Sequence, residues 1–259
     1  MKRTPVSIDP VLFPSQFRPL LLDAPLYDSS CSADAKVYFI DKDEGYYLKT
    51  AASGTLETEA QLTRFLHSKQ LSAEVLAYES IQQDWLLTRR VPGEDCTHEQ
   101  YLDDPKRLCE TMALLLRSLH DMDPAGCPVP DHTKAYLATA YQNYENGRFD
   151  LSYFSDGCRS LQDAWAVVQD YASHLKNDTL LHGDYCLPNI LLDNWRFSGF
   201  IDLDTGGVGD RHVDLFWGVW SLQFNLKTDR YCQRFLDAYG RDRIEPDMLR
   251  LIAACEVFL

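Results

Sequence analysis

Short apolar runs separated by turn signals occupy the first third of the chain. Four such runs predict β-strands, at 37–40, 46–49, 75–78 and 85–88. Between the two pairs, Leu62, Phe65 and Leu66 recur at helical spacing and predict a helix over 56–69. The Val-Pro-Gly turn at 91–93 then breaks the pattern. We therefore expect a small β-rich unit that ends near this turn.

Helical periodicity dominates the rest of the chain. Leu108, Met112, Leu115 and Leu119 share one face of a helix predicted over 105–120. Further helices are predicted at 160–175, 212–224, 230–239 and 246–258. The whole pattern predicts an α+β, bilobal fold. Residues 1–91 would form a small β-rich N-terminal lobe and residues 92–259 a larger, mainly helical C-terminal lobe.

Two polar stretches interrupt the helical half, HGDYCLPN at 182–189 and IDLDTGGVGD at 201–210. Asp184 offers a carboxylate that could accept a proton from a hydroxyl. Asn189 offers an amide oxygen and Asp202 a carboxylate at the end of a short strand, and such oxygens suit Mg²⁺. Each residue alone is more often a turn cap. The ordered set, in which Asn189 follows Asp184 and a strand then leads to Asp202, is specific and predicts phosphotransfer.

Lys49 and Glu59 form a second candidate pair. Glu59 lies three residues before Leu62 and seven before Leu66, so it shares the face of the helix that should be buried. Glu57 instead shares a face with Gln61 and points outward. A carboxylate turned inward needs a partner to offset desolvation. We therefore expect an ion pair between Glu59 and Lys49, which ends the second strand.

The charge of the chain is unevenly distributed. Residues 1–93 carry a net charge of −2 and residues 94–259 a net charge of −12, which together give −14. This balance excludes a nucleic-acid-binding surface, because no basic patch is present. Two interpretations remain open: the acidic half is a well-solvated surface, or it concentrates a cationic ligand.

Composition and cysteine usage favour a protein of the cytoplasm. Apolar residues make up 45% and charged residues 25%, the balance of an ordinary globular protein. The eight cysteines are scattered without a CxxC pair, which indicates reduced thiols. The first residues lack the apolar core of a signal peptide, and no apolar run is long enough to span a membrane.

Several segments resemble a known family. HGDYCLPN resembles the catalytic loop of the aminoglycoside phosphotransferases, and FSGFIDLDTGGVGDRHVD resembles their metal-binding segment. Both are similar to protein-kinase motifs as well. The stretches AKVYFI, YYLKT, LLRSLHDMDPAGCP and EPDMLRLIAACEVFL resemble aminoglycoside 3′-phosphotransferases in their order and spacing. The resemblance therefore covers most of the chain, and it implies a protein-kinase-like fold.

The resemblance implies roles for individual residues around Mg²⁺ and ATP, with GTP as a possible substitute. Asp184 would be the catalytic base, or the group that orients the acceptor hydroxyl. Asn189 and Asp202 would hold Mg²⁺, and the pair of Lys49 and Glu59 would orient the α- and β-phosphates. Two further residues would support the catalytic loop: His182 as a structural residue and Asp214 through backbone hydrogen bonds.

The remaining nucleotide contacts are expected in two loops. The chain has no GxGxxG, and the segment with Ser29, Ser30 and Ser32 takes its place, so hydroxyls and backbone N–H groups would cradle the phosphates. Arg89, Arg90 and Val91 match the hinge that binds adenine through backbone groups. Their side chains therefore do not choose between ATP and GTP.

The acceptor would be a cationic small molecule bound by Asp184 and by three further residues: Asp156, Glu256 and Phe258. Asp156 has an alternative role as a charge at a helix N-terminus. Glu256 and Phe258 match the family's terminal positions. Thr205 stands where the 3′-type members usually carry Arg, and Leu259 extends the chain one residue beyond their usual end. Both departures fall near the acceptor side, so they bear on which antibiotic is phosphorylated and not on phosphotransfer itself.

We expect an ATP-dependent phosphotransferase that acts on a hydroxyl of an aminoglycoside, the 3′-hydroxyl, and thereby confers resistance. The alternative is a kinase of another small amine or sugar, such as choline or a different antibiotic. A non-catalytic nucleotide-binding relative would lack the base, the lysine or a metal ligand, and none of these is missing. The protein would be a monomer or weak dimer, with no nucleic acid or membrane partner.

Overall fold

The structure, a computed structural model, describes residues 3–153 and 160–259. The chain divides into two compact units, one of residues 1–95 with 190–204 and the other of residues 96–189 with 205–259. The sequence pattern predicted one boundary, between residues 91 and 92. The segment 190–204 belongs to the first unit because its strands pair with residues of that unit.

The first unit contains an antiparallel sheet of six strands in the order β1-β2-β3-β4-β6-β5. Its strands are β1 (Thr4–Val6), β2 (Leu26–Asp28), β3 (Ala35–Ile40), β4 (Tyr46–Ala52), β5 (Val75–Ser80) and β6 (Gln83–Arg89). Successive side chains of a strand point to opposite faces. In β4, Leu48 is fully buried in an apolar core with Phe17, Ile40 and Trp85. Lys49 therefore points to the other face of the sheet.

Helices and a smaller sheet complete the first unit. Its helices are α1 (Arg18–Leu21) and α2 (Glu57–Ser68), and three short strands, β7 (Glu94–Asp95), β9 (Ile190–Asp193) and β10 (Arg196–Phe200), form the smaller sheet. Antiparallel pairing joins β7 to β9, and Phe200 N donates to Leu71 O at 2.7 Å. Because of these contacts, residues 190–204, which include β9 and β10, belong to the first unit.

The second unit is mainly helical. Its helices are α3 (Glu99–Leu102), α4 (Pro105–His120), α5 (His132–Glu145), α6 (Leu161–Tyr171), α7 (His212–Leu226), α8 (Cys232–Tyr239) and α9 (Pro246–Glu256). Strands β8 (Thr179–Leu181) and β11 (Gly207–Gly209) pair antiparallel. Side-chain N-caps mark the starts of two of these helices. The Asp104 carboxylate accepts from Arg107 N at the start of α4, and the Ser160 hydroxyl accepts from Asp163 N at the start of α6.

Apolar helix faces form the core of the second unit. Helix α4 packs on α8, and α6 packs on α9. Trp165, Leu251, Ile252 and Phe258 lie in one buried cluster with Tyr136. The predicted α+β class is confirmed: an antiparallel sheet makes up the N-terminal part and helices the C-terminal part. Within the described residues, no helix combines the length and the apolar character needed to cross a membrane.

Candidate active site

Lys49 lies between two carboxylates in the first unit. Its Nζ is 2.8 Å from Glu59 Oε2 and 2.7 Å from Asp202 Oδ1. The Lys49 and Glu59 side chains are 17% and 8% exposed, whereas that of Asp202 is 50% exposed. The predicted ion pair of Lys49 with Glu59 is therefore present. Asp202 is a second partner of Lys49 that the sequence pattern did not predict.

The electrostatics of this group keep Lys49 charged. Burial disfavours the ammonium, but the attraction of Glu59 and Asp202 outweighs it and raises the pKa of Lys49 well above its ordinary value. Burial raises the pKa of Glu59 to about 7, against the attraction of Lys49. A charged, fixed ammonium is suited to hold the oxygen atoms of a phosphate chain.

Asp202 has a strained backbone. It follows β10 with a φ of 60°, in the left-handed region that residues other than glycine rarely adopt. Such conformations cost free energy and cluster at active sites and ligand clamps. Six other non-glycine residues in the described part of the chain also have a positive φ, so the contact of the Asp202 carboxylate with Lys49, and not the φ alone, supports a functional role.

The serine-rich segment before β3 forms a turn held by its own hydrogen bonds. Ser30 N donates to the Asp28 carboxylate at 2.8 Å, and Val37 N donates to the Ser30 hydroxyl at 3.0 Å. Ser29 is buried, and Ser32 is exposed. The Ser30 hydroxyl thus takes part in shaping the turn. The N–H groups of Ser29 and Ser30 also have partners within the protein, Val37 O and the Asp28 carboxylate, so they are not open to phosphates as the sequence had led us to expect.

A cavity of about 140 Å³ lies beside the predicted hinge in the first unit. Its lining residues are Arg3, Tyr47, Arg90, Val91, Gly93, Glu94 and Leu191. Arg89 is not among these residues, and its Nε forms an ion pair with Glu74 Oε2 at 2.9 Å. Gly93 has a φ of +91°, and a Cβ there would lie 2.2 Å from Leu192 O, so the chain needs glycine at this position. The sequence pattern did not predict Arg3 and Tyr47 as lining residues.

Asp184 and Asn189 contact each other in the second unit. Asn189 Nδ2 donates to Asp184 Oδ2 at 2.8 Å and to Asp184 O at 3.0 Å. The Asp184 side chain is half-buried, and Asn189 is buried. Both contacts use the amide nitrogen of Asn189. Neither involves its oxygen Oδ1, which is the atom expected to bind a cation.

Asp214 holds the backbone of the loop that carries Asp184. Its carboxylate accepts from His182 N at 2.8 Å and from Gly183 N at 2.7 Å. These are the backbone hydrogen bonds expected for this residue. Gly183 has a φ of +93°, and a Cβ there would lie 2.0 Å from Thr205 O, so only glycine fits. His182 is fully buried, and its Nδ1 accepts from Asp184 N at 3.4 Å.

His120 is a buried residue whose role the sequence pattern did not predict. Its Nε2 donates to Asp214 Oδ2 at 3.0 Å, and its Nδ1 lies 2.8 Å from the Tyr239 hydroxyl. Burial opposes ionisation of Asp214, but the hydrogen bonds from His120 and from the loop backbone lower its pKa. The available signal was the position of His120 at the end of LLRSLH, a segment noted only for its resemblance.

The predicted acceptor residues lie in different surroundings. Asp156 is outside the described residues. Glu256 is 5% exposed, and its carboxylate accepts from the Tyr136 hydroxyl at 2.8 Å, so it does not lie on an exposed helix surface. Burial raises the pKa of Glu256 to about 7, against hydrogen bonds from Tyr136 and Trp217. Phe258 is 1% exposed, with its ring centroid 5.3 Å from that of Trp165.

Each unit therefore contains one group of candidate residues. Lys49, Glu59 and Asp202 meet in the first unit. In the second unit, the described candidates that meet around the loop are Asp184, Asn189, His182 and Asp214. The first group is suited to hold phosphate oxygens, and the second presents a partly exposed carboxylate with its partner amide.

Comparisons with known proteins agree with this chemistry. Residues 30–252 match the model of a phosphotransferase enzyme family. The chain is 50% identical over 248 residues to a probable aminoglycoside 3′-phosphotransferase of Lactococcus lactis, with 95% of each chain covered. It is 29% identical to an aminoglycoside 3′-phosphotransferase of Niallia circulans, over 86% of this chain and 87% of that one.

Solved structures share the fold. A crystal structure of a type VIII aminoglycoside 3′-phosphotransferase matches with a TM-score of 0.75 and 22% identity, over 99% of this chain and 94% of that one. An aminoglycoside phosphotransferase of Streptomyces rimosus in complex with ADP and streptomycin matches with a TM-score of 0.69 and 23% identity, over 85% and 90%. These matches confirm the expected kinase-like fold.

Proposed function

This chain belongs to the phosphotransferase enzyme family, and on that premise we propose that it is an ATP-dependent aminoglycoside phosphotransferase. It would transfer the γ-phosphate of Mg-ATP to a hydroxyl of the antibiotic, the 3′-hydroxyl, and thereby confer resistance. The contact of Lys49 with both Glu59 and Asp202 carries the phosphotransfer part of the proposal. The 50% identity to a probable aminoglycoside 3′-phosphotransferase supports the acceptor.

The nucleotide part rests on the first unit. Lys49 would bind the α- and β-phosphates, and Glu59 would keep its ammonium in place. Ser32, which is exposed, would offer its hydroxyl and backbone N–H to the phosphates. Ser29 and Ser30, whose N–H groups already donate to Val37 O and to the Asp28 carboxylate, would shape the turn that carries it. Arg89 and Val91 would present backbone groups to the base. ATP is the proposed donor, and GTP is a possible substitute.

The donor atoms of the chain fit Mg²⁺. The carboxylate of Asp202 is half-exposed. The amide oxygen of Asn189 takes no part in the contacts of that residue with Asp184. Mg²⁺ binds oxygen ligands and needs few of them from the protein. We propose Asp202 and Asn189 as the protein ligands of Mg²⁺. When bound, the ion would neutralise charge on the phosphate oxygens.

Asp184 would act on the acceptor. Its half-buried carboxylate would accept a hydrogen bond from the acceptor hydroxyl and take its proton as the hydroxyl attacks. Asn189 fixes the orientation of that carboxylate, while Asp214 and the buried His182 fix the loop.

The acidic half of the chain would attract the cationic acceptor. Residues 94–259 carry the net charge of −12, which concentrates polycations. Asp184 and Asp156 remain the candidates for direct contact. Because Glu256 and Phe258 are buried, we propose that they support the acceptor side through their packing with Tyr136 and Trp165.

We further propose that the protein works in the cytoplasm as a monomer or weak dimer, without a nucleic-acid or membrane partner. The cysteines of the described residues are free thiols, as is usual in reducing compartments. The net charge of −14 disfavours contact with nucleic acid.

A coupled ADP-release assay tests the proposed function. Purified protein would be given Mg-ATP with kanamycin-like and streptomycin-like aminoglycosides, other amino sugars or choline. We expect ADP release with kanamycin-like acceptors, and NMR of the product should place the phosphate on the 3′-oxygen. The Asp184→Asn variant controls for contaminating ATPases. Turnover of choline or simple sugars alone would refute the aminoglycoside assignment.

A further inference from the structure

Arg3 takes part in the cavity beside the hinge. Strand β1 pairs with β2, with Thr4 opposite Asp28, so Arg3 lies next to the segment that begins with Ser29. The Arg3 guanidinium carbon is 3.6 Å from the centroid of the Phe39 ring, and Nη2 donates to the Tyr47 hydroxyl at 2.9 Å. A residue far from the hinge in sequence thus has a defined position at the cavity.

Phe39 and Tyr47 provide the surface on which Arg3 rests. They are register partners on β3 and β4, and their ring centroids are 5.2 Å apart. Tyr47 precedes Lys49 by two residues, so both side chains point to the same face of β4. Two residues of a strand span about 7 Å. A nucleotide whose phosphates contact Lys49 would therefore place its sugar and base toward Tyr47 and the cavity.

The chemistry of Arg3 suits a nucleobase. A guanidinium is planar, stacks on aromatic surfaces and stays charged at all accessible pH values. The guanidinium carbon of Arg3 lies over the Phe39 ring, and Arg3 as a whole is exposed, so the side of the guanidinium away from Phe39 can meet a second planar group. Arginine planes stack on bases in this way in nucleic-acid recognition. The hydrogen bond to Tyr47 limits the rotation of the guanidinium and so orients that face.

We propose that Arg3 is a nucleobase-binding residue, whose guanidinium stacks on the purine of the bound nucleotide. The inference rests on the proposed use of a nucleotide, and it adds a contact that the hinge and Lys49 do not supply. Arg3 belongs to the base and not to the phosphates, because its contacts are with Phe39 and Tyr47 at the hinge cavity.

Calorimetry of ADP binding tests the inference without any acceptor. We expect Arg3→Ala to weaken ADP binding about 3- to 10-fold, the range of a cation–π contact. The Arg3→Lys variant should lose less ADP affinity, because lysine keeps the positive charge but lacks the planar guanidinium. Arg64→Ala is the matched control, since Arg64 is exposed on α2 and its loss changes the net charge equally. Thermal melting would show that each variant is folded.

Inorganic tripolyphosphate separates the base from the phosphates. As a competitor that has no base, it should bind the Arg3→Ala variant and the wild type equally. Equal losses for ADP and tripolyphosphate would overturn the assignment to the base. Unchanged ADP binding by Arg3→Ala would overturn the role of Arg3 alone. A wild type that binds no ADP would overturn the proposed nucleotide use together with it.

Tyr47→Phe provides a second variant in case Arg3→Ala fails to fold. This substitution removes the hydroxyl that accepts a hydrogen bond from Arg3 and keeps the aromatic ring of residue 47. ADP binding should weaken, by less than for Arg3→Ala, because the guanidinium loses only its anchor. If the Tyr47→Phe variant and the Arg3→Lys variant each bound ADP as tightly as the wild type, the proposal would be contradicted.

Discussion

The Asn189 amide donates to both the carboxylate and the backbone carbonyl of Asp184, at 2.8 and 3.0 Å. This double contact fixes the χ angles of Asp184 without covering its carboxylate, which stays half-exposed. A proton acceptor needs this combination of a fixed orientation and access to its substrate.

Asp184→Asn should therefore lower kcat about 10²- to 10⁴-fold, the scale of acid–base assistance. The replacement amide can still accept from Asn189, so the loop should keep its geometry and nucleotide affinity should stay close to that of the wild type. Steady-state kinetics and ADP calorimetry would measure the two effects. Turnover close to that of the wild type would exclude Asp184 as the base.

Substitutions at Asp202 separate backbone strain from metal binding. Asp202→Ala and Asp202→Gly both remove the carboxylate and should both abolish Mg²⁺-dependent nucleotide binding. The φ of 60° favours glycine, so Asp202→Gly should be about 1 kcal/mol more stable than Asp202→Ala. Calorimetry with Mg-ATP and urea unfolding of the free protein would test these two expectations. Retention of Mg-ATP binding by both variants would disprove the metal role.

Replacement of His120 should affect stability through Asp214. His120→Leu removes a buried donor to the Asp214 carboxylate, which should cost about 1.5–3 kcal/mol of unfolding free energy. His120→Gln places an N–H group at a similar distance along the side chain and should lose less. His174→Leu is the control, because His174 is exposed. Equal stabilities of His120→Leu and His120→Gln in urea would contradict this account.

Glu256 should make the stability of the protein depend on pH. Its folded-state pKa of about 7 lies above the ordinary value of 4.5, so the native state binds the proton more tightly between these pH values. Stability should therefore fall as pH rises from about 4.5 to 7, by up to about 3 kcal/mol from this group. Relative to the wild type, Glu256→Gln should become more stable across this window.

Urea unfolding at pH 5 and pH 8 would measure that difference. The other titrating groups, including Glu59, are common to both proteins and cancel in the comparison. Glu145→Gln is the matched control, because Glu145 is exposed at the end of α5 and should show no such dependence. A constant difference between Glu256→Gln and the wild type would show that Glu256 ionises as easily in the native state as in the unfolded one.

Much of the fold could be predicted from local patterns. Strands β3 to β6 and helices α2 and α4 carry clear periodicity, and their observed bounds lie within a few residues of the predicted ones. Helix α5 was missed, because few of its positions are buried: His132, Tyr136 and Ala140. Strands β8 and β11 have three residues each, which is too short for an alternation to be recognised.

The candidate site was predictable where charge had to be compensated. The ion pair of Lys49 with Glu59 followed from the inward face of α2, because a buried carboxylate needs a partner. The contact of Lys49 with Asp202 joins residues 153 positions apart, and Asp202 has a positive φ; no local pattern indicates either feature. Arg3 and His120 act through contacts distant in sequence. For Arg3 no local pattern indicated a role, and for His120 the only signal was its position at the end of LLRSLH.

The return of residues 190–204 to the first unit has a consequence for biosynthesis. A ribosome that has released residues 1–95 has delivered β7 without its pairing partner β9, and Leu71 O without Phe200 N. The small sheet of this unit can close only after about twice that length of chain has emerged. A fragment cut after residue 95 would also lack Asp202, so gene truncations at this apparent boundary should yield an incomplete folding unit.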